Sequence, residues 1–278
     1  MKWNIVTDSS CDLFPSEYEN GKVGLSSVSF VISVGDRDFR DDENLDVAEM
    51  VDAMEEYKGI SRSACPSPED WLKEFDKAEM NIVLPISSNL SGSMNSAVVA
   101  QNMALEADPE KKVAVVDSHS TGPEVTMCVE RIRDMIKSGM NFENIVSEVE
   151  EFFKNTHIAF ALSSFDNLVK NGRMSKIVGF IAKKLGMWGI GIGSDEGRIE
   201  IKGKTRGSVR MIGMLIDEMK EKGFTGGRVI ISHCQNSALA EVLRDKIISI
   251  WNSADVSIMP TRGLCSFYAE REGLILSF

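Results

Sequence analysis

The sequence predicts an α/β protein with two domains: an N-terminal domain with a parallel sheet between helices, and a C-terminal α+β domain. In the first half, short apolar runs alternate with helical patterns. In the second half this alternation ends, and two apolar runs flank the turn residues Ser194–Gly197, which indicates a hairpin. The chain has 278 residues, and domains usually have about 100 to 200. We therefore expect domains at 1–156 and 157–278.

The first elements are two strands and a short helix. Residues 3–7 form a short apolar run that ends in Asp8, Ser9 and Ser10. Residues 24–34 alternate enough to predict a second strand, and the charged stretch after it reads as a connection before a helix at 46–54.

A proline-containing turn follows at residues 61–71. Pro66 and Pro68 argue against a regular element there, and Ser67 has the position of an N-cap with proline at the first helical residue. The turn before Ser67 is then free to present Ser63.

The stretch NIVLPISSNLSGSMN, residues 81–95, predicts a strand, a tight loop and a helix that is established by Ala97. In an open parallel sheet such a loop lies at the carboxyl edge of the strands, where the next helix offers unpaired N–H groups and a partial positive charge. An anionic ligand suits this position. The alternative is that the hydroxyl groups only cap the helix.

A third strand, 112–116, ends in Asp117–Thr121, and helical patterns follow at 122–138 and 141–155. Because strands that alternate with helices form parallel sheets, the loops after the three strands are expected at one edge of the sheet. They would form one polar crevice there, unless each is only a cap or a turn.

In the second half, a strand from His157 and a helical turn at 165–170 lead to the turn Asn171–Ser175. Arg173 therefore lies beside the start of a predicted helix at 177–185. Its planar guanidinium matches a carboxylate or phosphate, although a solvated arginine is the alternative. The remaining elements are a hairpin of 187–193 and 198–204, helices over 209–219 and 237–251, and strands at 228–233, 256–259 and 274–278.

Composition excludes several classes of protein. The net charge of −11 and the absence of long basic runs argue against nucleic acid as a partner. The five scattered cysteines lack a CxxC pair, which fits a reducing compartment, and with only three histidines a metal centre is not expected. Neither a secretory signal nor an apolar run of about 18 residues is present. The expected location is the cytoplasm.

The usual catalytic motifs are also missing. The sequence has no GxSxG with a downstream histidine, no GxGxxG and no GxxxxGK[ST]. The run Gly189–Gly193 lies in a predicted hairpin strand and makes a poor dinucleotide site. A crevice with hydroxyl groups, one arginine and no strong base is better suited to binding than to catalysis.

Seven short segments resemble, in order and spacing, the motifs of the DegV family: VTDSSCDL, ACPSP, ISSNLSGSMNSA, VVDSHS, NGRMSK, KTRG and CSFYAEREGLILSF. The resemblance covers essentially the whole chain. It implies a bacterial two-domain protein that holds one long-chain fatty acid, with the carboxylate in a polar pocket between the domains and the acyl chain in an apolar tunnel. Such proteins need no cofactor. The FakB-type members present the fatty acid to a separate kinase, which makes an acyl phosphate for phospholipid metabolism, and transient membrane contact fits that role.

Carried over by position, the resemblance implies ligand contacts from Ser63, from the loop residues Ser91, Gly92 and Ser93, and from Arg173. Arg206 corresponds to a basic residue that faces the kinase, with a solvated charge as the alternative.

The chain departs from the family pattern near its C-terminus. Tyr268 stands where many members carry a histidine, Glu270 and Glu272 stand where glycines are common, and Cys65 replaces a polar residue. A tyrosine hydroxyl can still donate a hydrogen bond to a carboxylate.

The apolar tunnel has seven candidate lining residues, for which the alternative is simple core packing: Ile177, Val178, Phe180, Ile181, Leu185, Met187 and Trp188. Two other functions remain open at this point. One is a phosphoryl- or acyl-transfer enzyme that uses Asp8, Asp117 or His119 in the same crevice. The other is a binding protein for a different small anion.

Overall fold

The computed structural model describes residues 2–17, 23–175 and 186–278. Elements of the first half are, in chain order, β1 (Trp3–Asp8), a 3₁₀ turn (Pro15–Glu17), β2 (Val23–Val28), β3 (Val31–Val34), β4 (Arg37–Arg40), α1 (Val47–Glu56), β5 (Arg62–Ala64), α2 (Pro68–Phe75), β6 (Met80–Leu84), α3 (Ser93–Ala107), β7 (Lys112–Val115), α4 (Pro123–Lys137) and α5 (Phe142–Asn155). Those of the second half are β8 (Ile158–Leu162), α6 (Asp166–Lys170), β9 (Met187–Gly193), β10 (Ile199–Arg206), α7 (Ser208–Glu221), β11 (Arg228–His233), α8 (Ser237–Ile250), β12 (Asp255–Pro260), α9 (Gly263–Ala269) and β13 (Leu274–Ser277).

The first sheet has the strand order β2-β1-β6-β7, and every pair in it is parallel. Successive residues of β1 point to opposite faces: Ile5 packs against α4 and α5, and Val6 packs against α2 and α3. The predicted parallel sheet with helices on both sides is therefore confirmed. The predicted cap of α2 is also confirmed, because Ser67 Oγ accepts from Asp70 N at 3.3 Å while the Asp70 carboxylate accepts from Ser67 N at 3.1 Å.

The prediction of one strand at 24–34 was wrong. The chain breaks after β2 and begins β3 in a separate antiparallel sheet of order β4-β3-β5. The charged stretch predicted as a connection contains β4, in which Phe39 alone is buried, so the hydrophobic pattern of a strand is lost there. The prediction that residues 61–71 hold no regular element before the helix start was wrong, because residues 62–64 form the short strand β5 by pairing with β3. This pairing places Ser63 opposite Ile32.

The six-stranded sheet has the order β10-β9-β8-β13-β11-β12, and β9 and β10 form the predicted antiparallel hairpin. One face packs against α7 and α8, through Trp188 and Ile190 among others. The other face packs against α1, α9 and the three-stranded sheet, through residues such as Phe160 and Ile275. The second half therefore shares a core with residues 31–54. Helix α9 was not predicted from the sequence.

Within the described residues, no helix is both long enough and apolar enough to cross a bilayer. Strands β1, β2, β6 and β7 all precede residue 116, and the strands of the six-stranded sheet all follow residue 157. The division into domains at residues 156 and 157 stays a prediction.

Candidate functional site

A cavity lies between the carboxyl edge of the parallel sheet and the face of the six-stranded sheet that carries Phe160 and Ile275. The empty space within it, including open solvent at its mouth, is about 830 Å³. Residues from both halves of the chain form most of its apolar wall: Phe30, Ile86, Ile158, Phe160, Leu162, Leu168, Ile199, Leu264 and Ile275. Ser63, Ser91, Arg173 and Tyr268 also line it, so the structure brings together four of the residues predicted for the ligand site.

Arg173 is half-buried at the polar end of this cavity. Its Nε donates to Leu90 O at 3.0 Å, and its Nη1 donates to Asn171 O at 2.5 Å. The guanidinium carbon lies 5.8 Å from the centre of the Tyr268 ring. Within the described residues, no carboxylate pairs with Arg173 and Nη2 has no hydrogen-bond partner. The guanidinium is thus held in place by carbonyl groups while its charge has no described counter-ion.

Two hydroxyl groups stand beside the arginine. The Ser63 Oγ and Tyr268 hydroxyl oxygens lie 2.9 Å apart, and either can be the donor. Burial raises the pKa of Tyr268 above its ordinary value of 10.0, against the opposing effects of Ser63 and Arg173. The phenol therefore stays protonated near neutral pH and can donate.

The SSNLSGS loop contributes Ser91, whose Oγ accepts from Ser93 N at 3.2 Å and keeps its own hydrogen free to donate. Gly92 and Ser93 do not line the cavity. Gly92 is the N-cap residue of α3. Ser93 is fully buried, and its Oγ donates to Asp8 Oδ2 at 2.6 Å. Their place in the ligand site stays a prediction.

The three loops that the sequence placed at one edge do meet. Ser87 N donates to Ser120 O at 2.9 Å, and Gly122 N donates to Ser10 O at 2.7 Å. Asp8 holds the loops together, because its carboxylate also accepts from Ile86 N at 3.0 Å. Burial raises the pKa of Asp8. Asp8 is fully buried and does not line the cavity, so its position fits a structural role.

Tyr268 reaches the cavity on helix α9, which is anchored at its start by a buried ion pair. The Asp41 carboxylate accepts from Gly263 N at 2.9 Å and from Leu264 N at 2.7 Å. Arg262 Nε lies 3.7 Å from Asp41 Oδ1, Arg262 Nη2 donates to the backbone oxygen of Asp41 at 2.9 Å, and both side chains are buried. Burial raises the pKa of Asp41, while Arg262 opposes that shift. This pair fixes the direction in which α9 enters the cavity wall.

The chain after α9 has an unusual backbone. Glu270 has φ 55° and ψ 177°, and Glu272 has φ 70°. Residues with a Cβ rarely adopt such conformations, which glycine adopts readily. Glu270 is buried and Glu272 is exposed.

Other predicted residues lie elsewhere. Arg206 is exposed at the end of β10, outside the cavity, and its role toward a partner stays a prediction. The tunnel candidates Ile177, Val178, Phe180, Ile181 and Leu185 lie outside the described residues. Met187 packs against the apolar cluster that includes Phe160 and Ile275, but it does not line the cavity. Trp188 lies on the opposite face of β9, against α7, because side chains alternate along a strand.

Sequence reasoning missed most of the apolar wall. Phe160 and Leu162 face the cavity from β8, whereas Ala159 and Ala161 face the opposite core. All of them are buried, so the sequence gives no alternation of polar and apolar residues by which to tell the two faces apart. Cys265 begins the C-terminal motif and Leu264 directly precedes it, and their nearness to Tyr268 was the one available signal.

The described residues contain no group of three or more His, Cys, Asp or Glu side chains that could hold a metal ion. None of the five cysteines, all of which are described, forms a disulfide. What the arrangement offers is a set of hydrogen-bond donors beside the guanidinium of Arg173, at one end of an apolar cavity. A second lining arginine, Arg198, pairs with Glu196. Such a site can bind an anion that carries a long apolar group.

The fold and the cavity define an α/β protein that encloses a mostly apolar cavity, with a small polar end, between two sheet layers. A family model described as the DegV family of uncharacterised proteins matches residues 2–275. The chain belongs to the DegV family.

Comparison with individual relatives agrees with this assignment. A DegV domain-containing protein of Streptococcus pneumoniae is 38% identical over 278 residues, which cover 100% of this chain and 99% of the relative. The crystal structure of the Streptococcus pneumoniae fatty acid kinase B3 protein loaded with linoleic acid has a TM-score of 0.96 at 38% identity and covers 100% and 99% of the two chains. A Eubacterium eligens DegV family protein loaded with heptadecanoic acid has a TM-score of 0.94 at 37% identity and covers 99% and 98%.

Proposed function

We propose that this protein binds one long-chain fatty acid, with the carboxylate among Ser63, Ser91, Arg173 and Tyr268 and the acyl chain in the apolar cavity. The observation that carries the proposal is the half-buried guanidinium of Arg173, which has no described carboxylate partner and lies beside three hydroxyl groups. A partly desolvated cation is costly unless an anion pairs with it, and a carboxylate is the anion that a guanidinium matches best. Gly92 and Ser93 belong to the site as parts of the loop that presents Ser91.

The apolar lining of the cavity supports an acyl chain as the apolar part of the ligand. Burying a chain of about sixteen carbons at about 0.8 kcal/mol per CH₂ gives on the order of 12 kcal/mol before ordering costs. With a burial free energy of this size, we expect the protein to retain its fatty acid through purification. The solved relatives, which hold linoleic and heptadecanoic acids, support the same ligand class.

We further propose that the protein is a carrier without catalytic activity, which presents its fatty acid to a separate kinase in the cytoplasm. The role of the pneumococcal relative as a fatty acid kinase B3 protein supports this assignment. Asp8, the buried carboxylate proposed as an alternative catalytic group, already accepts hydrogen bonds from Ser10, Ile86 and Ser93. The exposed guanidinium of Arg206 is the group that we assign to the kinase-facing surface.

Mass spectrometry of an organic extract from the purified protein tests the ligand class. The wild type should yield close to one long-chain fatty acid per chain, and Arg173→Ala should yield much less. Arg244→Ala is the matched control, because Arg244 is on α8, pairs with the adjacent Asp245 and does not line the cavity. An empty wild-type extract that stays empty after incubation of folded protein with long-chain fatty acids would overturn the proposal.

A further inference from the structure

Glu270 combines a disfavoured backbone conformation with a buried carboxylate. Its φ of 55° and ψ of 177° lie close to a region that is occupied almost only by glycine. Its exposed fraction is 8%. A glycine would adopt this conformation without strain. The contacts of the Glu270 side chain therefore have to offset the backbone strain.

The side chain of Glu270 contacts the start of helix α6. Its Oε1 accepts from Ser164 Oγ at 2.8 Å and from Asn167 N at 3.2 Å. The N-cap residue of α6, Phe165, makes no side-chain capping hydrogen bond. Glu270 therefore supplies to α6, from a distant part of the chain, an acceptor of the kind that a capping residue usually supplies. A second link joins the same elements, because Asn167 Nδ2 donates to Phe267 O at 2.8 Å.

Helix α6 in turn determines where Arg173 lies. Arg173 N donates to Leu168 O at 2.8 Å, and Asn171 N donates to Asn167 O at 3.1 Å, so the turn after α6 is built on the helix itself. Asn171 O then accepts from the Arg173 guanidinium. Tyr268 lies on α9, two residues before Glu270. Glu270 thus connects α9, which carries the hydroxyl of Tyr268, with α6, on which the turn that contains Arg173 is built.

We infer that Glu270 is a positioning residue that fixes the guanidinium of Arg173 relative to the hydroxyl of Tyr268, so that both meet the carboxylate of one ligand. It acts through α6 and does not touch the ligand. This inference rests on the proposed function. It also gives the disfavoured conformation of Glu270 a physical reason, because replacing Glu270 by glycine would relieve the strain but remove the acceptor that α6 uses.

The test compares binding of heptadecanoic acid with binding of heptadecan-1-ol, which has the same chain length but no carboxylate. The preference of the wild type for the acid measures how well Arg173 and Tyr268 are placed. Glu270→Gly should lower this preference about tenfold, the change expected when a hydrogen bond to a charged group is lost. Glu270→Gln keeps an acceptor oxygen and should lower it less. A loss of cavity packing alone would weaken the acid and the alcohol equally.

Glu272→Gly is the matched control. Glu272 also has a positive φ, is exposed, and its side chain makes no hydrogen bond to a described residue. Its replacement should leave the preference for the acid unchanged. In an Arg173→Ala background, Glu270→Gly should have no further effect on the preference, because the group through which it acts is gone.

Three results would overturn the inference. One is an unchanged preference for the acid in both Glu270 variants. The second is an equal loss of acid and alcohol binding, and the third is a full additional effect in the Arg173→Ala background. A wild type that binds the alcohol as tightly as the acid, or binds neither, would overturn the proposed function and this inference with it.

Discussion

The hydroxyl oxygens of Ser63 and Tyr268 lie 2.9 Å apart, although 205 residues separate them in the chain. Ser63 lies on β5 of the three-stranded sheet, and Tyr268 lies on α9. When one hydroxyl donates to the other, the second keeps its hydrogen and can turn it toward a ligand. The pair therefore forms a short chain of donors beside Arg173, and each member orients the other.

We expect Tyr268→Phe to weaken fatty acid binding about tenfold, because the variant removes one donor to a carboxylate and keeps the ring. The contact between the ring and Arg173 should remain. Isothermal titration with a long-chain fatty acid measures the change. Tyr57→Phe is the control, because Tyr57 is exposed and lies outside the cavity. Equal affinities of Tyr268→Phe and wild type would show that the hydroxyl makes no contact with the ligand.

Arg206→Ala is expected to keep the fatty acid but to reduce its conversion to acyl phosphate by a fatty acid kinase with ATP. The guanidinium is exposed and outside the cavity, so its loss should affect association with the kinase and not ligand retention. Acyl phosphate is measured with protein loaded with fatty acid beforehand. Arg131→Ala serves as the control, because Arg131 is an exposed arginine on α4 that pairs with Glu148. Unchanged turnover of Arg206→Ala would place the kinase surface elsewhere.

The sequence predicted the order of the elements well because each carries a local signal. The cap at Ser67 and the turn at 194–197 are examples, and both are confirmed. Strand β4 was missed because Arg37, Asp38 and Arg40 hide the pattern of a strand in which only Phe39 is buried. Local signals thus fail where a strand is short and exposed on one face.

The polar end of the site was accessible from motifs, whereas the cavity wall was not. Arg173 lies in the NGRMSK motif and Ser63 directly precedes the ACPSP motif, and the structure places both at the cavity. Phe160 was missed because β8 is buried on both faces, so only the tertiary structure shows which face lines the cavity. The connection from Glu270 to α6 depends on a backbone angle and on a contact over 103 residues, neither of which has a local signature.

The buried carboxyl group of Asp12 should make stability depend on pH. Burial raises its pKa from the ordinary 3.8 to about 6. The folded chain then binds more protons than the unfolded chain between about pH 4 and pH 6, so this contribution to stability is present below pH 4 and is lost as pH rises through 6. In the wild type, Asp12 Oδ1 accepts a hydrogen bond from Arg262 N at 3.0 Å. Asp12→Asn keeps an oxygen that can accept this bond, but its side chain cannot ionise.

Relative to the wild type, the free energy of unfolding of Asp12→Asn should therefore rise by up to about 3 kcal/mol between pH 4 and pH 7. Urea unfolding at several pH values measures the difference. Asp36→Asn, at an exposed position in the turn between β3 and β4, controls for the general effect of losing a carboxylate. A difference between Asp12→Asn and wild type that does not change with pH would contradict the expected titration.

The turn of the β9–β10 hairpin closes one side of the cavity against the loops of the parallel sheet. Ser87 Oγ donates to Gly197 O at 2.8 Å, and Asn89 Nδ2 donates to Glu196 O at 2.7 Å. Gly197 has φ 73°, and a Cβ there would lie 2.3 Å from Ser87 Oγ and 2.6 Å from His119 O. We expect Gly197→Ala to displace this turn and to speed release of the bound fatty acid about tenfold or more, because both hydrogen bonds across the cavity are weakened.

Stopped-flow transfer of a fluorescent fatty acid to lipid vesicles measures the release rate. Gly223→Ala is the matched control, because Gly223 has φ 78° but no atom within 4 Å of the added Cβ. Both variants introduce a strained alanine, but only Gly197→Ala also pushes against Ser87 and His119. Equal release rates in the two variants would show that the hairpin turn does not hold the cavity closed. Faster release in Gly197→Ala alone would identify contact of this turn with Ser87 and Asn89 as a barrier to ligand exit.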